Sequence, residues 1–191
     1  MKSKTITIIA IFTALSVALV LSPAKFPAPF APFLKYQIWE IPIVAAFLLY
    51  GPLVAVAASL TNTVVLLVVY PGDLPTGPLY NLAAVLSTLL GIYIIHRFAA
   101  KYFSKRQETI LTVFSTALGS IARVGIMTIV NWAFLGYPYP VGYSIPEGAL
   151  MAMLPIIGLF NATLALYTIP LGYFVSRAVS LGTNTARWSQ R

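Results

Sequence analysis

One run, from Gly119 to Leu135, constrains this chain more than any other. It is apolar enough for a membrane-spanning helix, yet it carries Arg123 and Asn131. An arginine at mid-membrane depth costs roughly 2.5–3.5 kcal/mol on insertion scales, and it faces a bundle interior or a polar cavity rather than lipid. The helix is therefore a candidate wall of a site. A guanidinium at that depth can pair with inward-facing carbonyls, pair with Glu40, or form the floor of a cavity. Asn131 lies about 12 Å further along the axis, towards one end of the helix.

The rest of the chain is of the same kind. Of 191 residues, 59% are hydrophobic and only 8% charged, where a soluble domain has about a quarter. The apolar runs are long and barely alternate, which fits a helical bundle better than a β-barrel. There is no cysteine, so no disulfide framework, thiolate metal site or cysteine nucleophile is available. The net charge of +8 comes from basic residues beside apolar segments, a topology signal rather than a nucleic-acid footprint.

The expected fold is an all-α membrane protein, a six-transmembrane-helix bundle over residues 1–180 followed by a polar cytoplasmic tail, 181–191. Span one covers residues 5–21 and reads as a retained helix, since no clear small-x-small cleavage motif follows it. Ala10, Ala14 and Ala18 recur along it every four positions, a flat stripe for close helix approach or ordinary packing. Residues 22–36 contain four prolines, which forbid a regular helix; with Lys25, Lys35 and several aromatics they suggest an interfacial lid. Span two, 37–50, is short and begins with Trp39 and Glu40, the latter a solvated cap or a site carboxylate. Span three is 53–70, with Asn62 expected to bond neighbouring backbone. Span four is 78–98, with Asn81 near its start and His96 expected at the interface near its end. Span five is 109–135. Span six is 147–179, with an irregular start expected around Pro155. A second Pro/Gly/Tyr loop, 136–146, has no basic residue, and the tail is expected to fray.

Six spans put both termini on one side. On that reading Lys2, Lys4, Arg97, Lys101, Lys105, Arg106, Arg177, Arg187 and Arg191 share the terminal side, and only Lys25 and Lys35 lie opposite. The excess places both termini in the cytoplasm of a multi-pass cell-membrane protein. Glu40, Asp73 and Glu147 and both aromatic loops gather at the outer mouth.

No Walker motif, HExxH or GxSxG is present, nor a carboxylate pair on one helix face, so neither an enzyme nor an ATPase is expected. No metal cluster or resident cofactor is expected either. The chemistry left is amide chemistry. Asn81, Asn131 and Asn161 fall in the outer halves of their spans. Asparagine both donates and accepts, so three near one mouth suit the edge of a flat polar heterocycle. Trp132, Tyr137, Tyr139 and Phe160 lie close enough in sequence to stack on its faces. Taken singly, each amide is as well explained by a bond to a neighbouring helix.

The alanine repeat, the Pro-rich loop and Trp39-Glu-Ile-Pro…Leu49-Tyr-Gly-Pro52 resemble the S components of energy-coupling-factor vitamin transporters. Pro75-Thr-Gly-Pro-Leu-Tyr-Asn81, Met127-Thr-Ile-Val-Asn131 and Leu154-Pro…Gly158-Leu-Phe-Asn161 resemble the riboflavin-binding members most. The last departs from their Pro-Phe-Asn-Leu-Ile-Lys motif, with Leu164 in place of lysine. The resemblance implies a substrate-capture subunit that associates with a transmembrane T component and two ATPases, in which ATP is hydrolysed. It implies riboflavin as transported ligand, held by Glu40, Asn81, Asn131, Trp132 and Asn161. Phe33, Lys35, Tyr36, Tyr137 and Tyr139 would form gating loops, and Ala10, Ala14 and Ala18 the T-component contact. Another vitamin, a nucleobase-like precursor or a stand-alone ion-coupled carrier are the alternatives.

Overall fold

The computed structural model describes residues 3–69, 73–99, 108–183 and 187–188. Lys2, Lys101, Lys105, Arg106 and Arg191, all used in the charge count, lie outside the described residues. Six α-helices and one hairpin follow in order: α1 (Ser3–Leu21), β1 (Phe26–Ala28), β2 (Ala31–Tyr36), α2 (Glu40–Tyr50), α3 (Pro52–Val69), α4 (Gly77–Ile94), α5 (Glu108–Phe134) and α6 (Glu147–Thr183). Five of the helical segments are long and apolar enough to cross a membrane; α2 is shorter. At 11 residues it is about 16 Å long, roughly half a hydrocarbon core.

That short helix is the centre of the bundle. Every residue of α2 from Pro42 to Leu49 is buried, as expected of a helix apolar all round. It packs on α3 and α6, while α1 packs on α3, α3 on α4, α4 on α5 and α5 on α6. Gly51, at φ 95°, turns the chain directly from α2 into α3. Positive φ is open to glycine at no steric cost.

One expectation is sharpened here and one corrected. The Pro-rich loop is a β-hairpin, with Phe26 opposite Tyr36 and Pro27 opposite Lys35 and an irregularity after Pro27. Proline cannot donate to a ladder but is tolerated on edge strands, and both strands of a two-stranded sheet are edges. Second, α6 does not break at Pro155. It runs through both Pro155 and Pro170 for 37 residues. Apolar surroundings and neighbouring helices let a spanning helix tolerate such residues.

At the end away from the hairpin, α4 widens into a π-helical turn, Ile95–Ala99. His96 is buried rather than interfacial. Its Nε2 lies 2.5 Å from the Tyr173 hydroxyl, which is 2.9 Å from Ser115 Oγ. The tail returns to this end. Trp188 packs edge-on against Phe47 and parallel to Tyr93, and Arg187 pairs with both carboxylate oxygens of Glu108. At these two residues, the expectation of a frayed tail does not hold.

Candidate functional site

Arg123 is 2% exposed and Glu40 4%, so Glu40 is no solvated cap. The guanidinium donates from Nη1 to Glu40 Oε2 at 2.5 Å and from Nη2 to Oε1 at 2.9 Å. Its Nε donates to Asn161 Oδ1 at 3.0 Å, and Nη1 also reaches Thr88 Oγ1 at 3.4 Å. One side chain thus ties the start of α2 to α4, α5 and α6. Of the destinations open to Arg123, the carboxylate is the one realised. A two-pronged arginine–carboxylate bond suits the planar fork of the guanidinium. Each charge would be costly to enclose alone.

The asparagines separate. Asn131 and Asn161 are buried, 7% and 5% exposed. Each folds its amide nitrogen back on its own helix, Asn131 Nδ2 to Met127 O at 2.6 Å and Asn161 Nδ2 to Ile157 O at 2.9 Å. Asn81 is exposed. It lies one turn beyond Ala84 and Val85, on the stripe that continues to Thr88. Trp132 does not join the group: it is 55% exposed, about 100° round the helix from Asn131. Asn62, in α3, is 1% exposed, and its Oδ1 has no hydrogen-bond partner; this differs from the backbone bonding expected of it.

The hairpin covers this region. Tyr36 packs on Phe160 with the rings tilted by 31° and their centroids 5.0 Å apart, and its hydroxyl lies 2.8 Å from Thr163 Oγ1. Tyr167 donates to the Gln37 carbonyl at 2.6 Å. Ala28, Phe160 and Leu164 form one apolar cluster, and Leu135, Leu150, Leu154 and Ile157 another; Leu34 touches both. Leu164 is therefore a packing residue under the hairpin. The second loop is held at the same end, with Thr76 Oγ1 donating to the Pro140 carbonyl and Tyr80 to that of Val141, each at 2.8 Å. Phe33, Lys35, Tyr137 and Tyr139 are exposed on these two loops. Partial burial and then the Asp73 carboxylate raise the pKa of the Tyr143 hydroxyl there.

Thr88 and Tyr167 escaped the sequence reading. Thr88 also donates to its own helix at Ala84 O, as many membrane hydroxyls do, and nothing in its spacing marks it. A groove of about 510 Å³ between α5 and α6, lined by Val124, Thr128, Met151, Pro155, Gly158 and Leu159, is apolar and includes none of the buried polar residues above.

The bundle, with its short central helix and hairpin cover, has the fold of an energy-coupling-factor S component. It superposes on a solved structure of the S component of a bacterial ECF transporter with a TM-score of 0.72, over 95% of this chain and 98% of that one, at 22% identity. In sequence it is similar to the riboflavin transporter RibU of Staphylococcus aureus (strain TCH60), 26% identical over 133 residues. That match takes in 69% of this chain and 66% of the relative, just under two thirds of its length. No protein-family model matches. The chain is a multi-pass integral membrane protein of the cell membrane, with an S-component fold and a riboflavin-transporter relative.

Proposed function

We propose that this protein is the substrate-capture subunit of an ECF-type importer and that its ligand is riboflavin or a related flavin. The observation that carries the reading is the likeness in fold to an S component over nearly the whole of both chains. The flavin part rests on the riboflavin-transporter relative and on the buried amides of Asn131 and Asn161 beneath an aromatic-bearing hairpin. Leu164, one helical turn beyond Asn161 on α6, stands where the riboflavin-binding motif has its lysine, and Arg123, bonded to Asn161, is already paired with Glu40.

In this reading Glu40, Asn131 and Asn161 hold the ligand, with Asn81 at the mouth. The hairpin and the 136–146 loop act as gates through Tyr36, Phe33, Lys35, Tyr137 and Tyr139. Trp132, exposed to the outside of the bundle, contributes to lipid contact instead. The bundle crosses the membrane six times with both termini cytoplasmic, as the basic-residue excess on the terminal side supports. The hairpin end then faces outward. A T component and two ATPases supply the energy, since the chain carries no nucleotide motif.

The test is titration of riboflavin into purified protein while flavin fluorescence is followed. Quenching with a micromolar or tighter Kd is expected. Unquenched flavin, together with a different vitamin or a nucleobase-like compound retained by the protein, would replace the ligand and keep the role. Transport by vesicles holding this chain alone would overturn the role itself and favour an ion-coupled carrier.

A further inference from the structure

We propose that the Glu40–Arg123 pair sets the charge selectivity of the ligand site: each cancels the other inside the bundle, so the site accepts the uncharged flavin and rejects its 5′-phosphate ester. The inference rests on the flavin reading above and adds to it the residues that discriminate.

Arg123 and Glu40 are both enclosed, and the guanidinium makes four hydrogen bonds, two of them to the Glu40 carboxylate. Its charge is met within the protein. Among the described residues, the other charged side chain buried to this degree is Arg187, which pairs with Glu108 at the tail end. Lys35, on the hairpin, is exposed, and water and salt screen it. A phosphate monoester carries about −1.5 to −2 charge at neutral pH. Bringing it beside Asn161 strips its water, and the cation bonded to Asn161 there is already paired with Glu40. An uncharged isoalloxazine or ribityl group meets only dipoles there.

The opposite arrangement was available to the same helices. Without a carboxylate at residue 40, Arg123 would stand as an uncompensated cation beside Asn161, suited to an anion. The acid at the first position of α2 is thus the residue that decides the sign of the site.

The experiment measures Kd for riboflavin and for riboflavin 5′-phosphate on four proteins: wild type, Glu40→Gln, Arg123→Gln and the double variant. Wild type is expected to prefer riboflavin. Glu40→Gln should move the ratio of the two constants about tenfold or more towards the phosphate, the size expected for one uncompensated charge in a partly enclosed site. Arg123→Gln should move it the other way, and the double variant should return it towards wild type. Using a ratio removes any common loss of affinity. Should Glu40→Gln fail to fold, Arg123→Gln and the double variant still carry the comparison. Equal ratios across the folded proteins overturn the proposal, as does a wild type that binds the phosphate as tightly as riboflavin. A wild type that binds neither overturns the flavin reading, and this inference falls with it.

Discussion

Arg123 and Glu40 can be separated from their role in binding by what their removal does to folding. Arg123→Met strips Glu40 of its partner and leaves a carboxylate enclosed, a change that costs about 3–5 kcal/mol. Replacing both, Glu40→Leu with Arg123→Met, removes both desolvation penalties and should recover most of that loss. Thermal unfolding in detergent reads the difference; a double variant no more stable than the single would mean that the ion pair contributes net stability of its own. Asn131 behaves differently. The hydrogen bond its side chain donates goes to its own helix, at Met127 O, so Asn131→Ala should change stability little. If its amide meets the ligand, the same variant weakens riboflavin binding about tenfold, the value of one well-made hydrogen bond. An unchanged Kd would assign Asn131 to the helix alone. That Arg123 turns inward was legible in the sequence, because a charge in a spanning helix has few places to go. Its full set of partners was not. Glu40, Asn161 and Thr88 come from three other helices and stand 83, 38 and 35 positions away in the chain. Asn81 lies near the start of its span as read, but it is exposed where Asn131 and Asn161 are buried, because depth along a span does not say whether an end residue is enclosed.

The long helices were legible for a physical reason. A span needs about 20 apolar residues with its backbone bonded internally, and little else in a sequence imitates that. The hairpin was not, since three- and six-residue strands rich in proline carry no period to read. The contact between α4 and α5 explains how tightly the elements must meet. A Cβ built on Gly91 would fall 2.5 Å from Gly119 Cα, backbone that cannot swing aside. Gly91→Val should therefore force the two helices apart and lower stability by about 1–3 kcal/mol, as overpacking does. Melting of the detergent-solubilised variant checks this, and a wild-type melting temperature would show that the helices have slack. The tail is a second tie between elements. Trp188 lies on Gly51, Phe47, Tyr93 and His96, and Arg187 on Glu108, so two residues join the α2–α3 turn, the end of α4 and the start of α5. A chain ending at residue 183 should melt several degrees lower while its riboflavin Kd stays the same, because the lost contacts are at the far end from the hairpin. Loss of binding in that truncation would show that the two ends are coupled.

At the scale of the molecule, the face that remains to be explained is on α1. Its buried residues are Ile9, Thr13, Ser16 and Val20, and Thr13 reaches the Ala58 carbonyl of α3. Ala10, Ala14 and Ala18 are all exposed, pointing away from the bundle. Internal packing, one of the two explanations open from the sequence, is therefore not their use. A stripe of small side chains lets another helix approach closely, and within a membrane such contact depends on close van der Waals packing. In the proposed importer the partner is the T component. Ala10→Trp and Ala14→Trp test this, because the added bulk lies outside the bundle and far in the chain from Glu40, Arg123 and Asn161. Folding and riboflavin affinity should be unchanged. Uptake into vesicles that also hold the T component and both ATPases should fall to background, and the variants should no longer co-purify with the T component. Binding and uptake lost together would place the stripe inside the fold after all. Uptake retained in both variants would move the partner contact to another face.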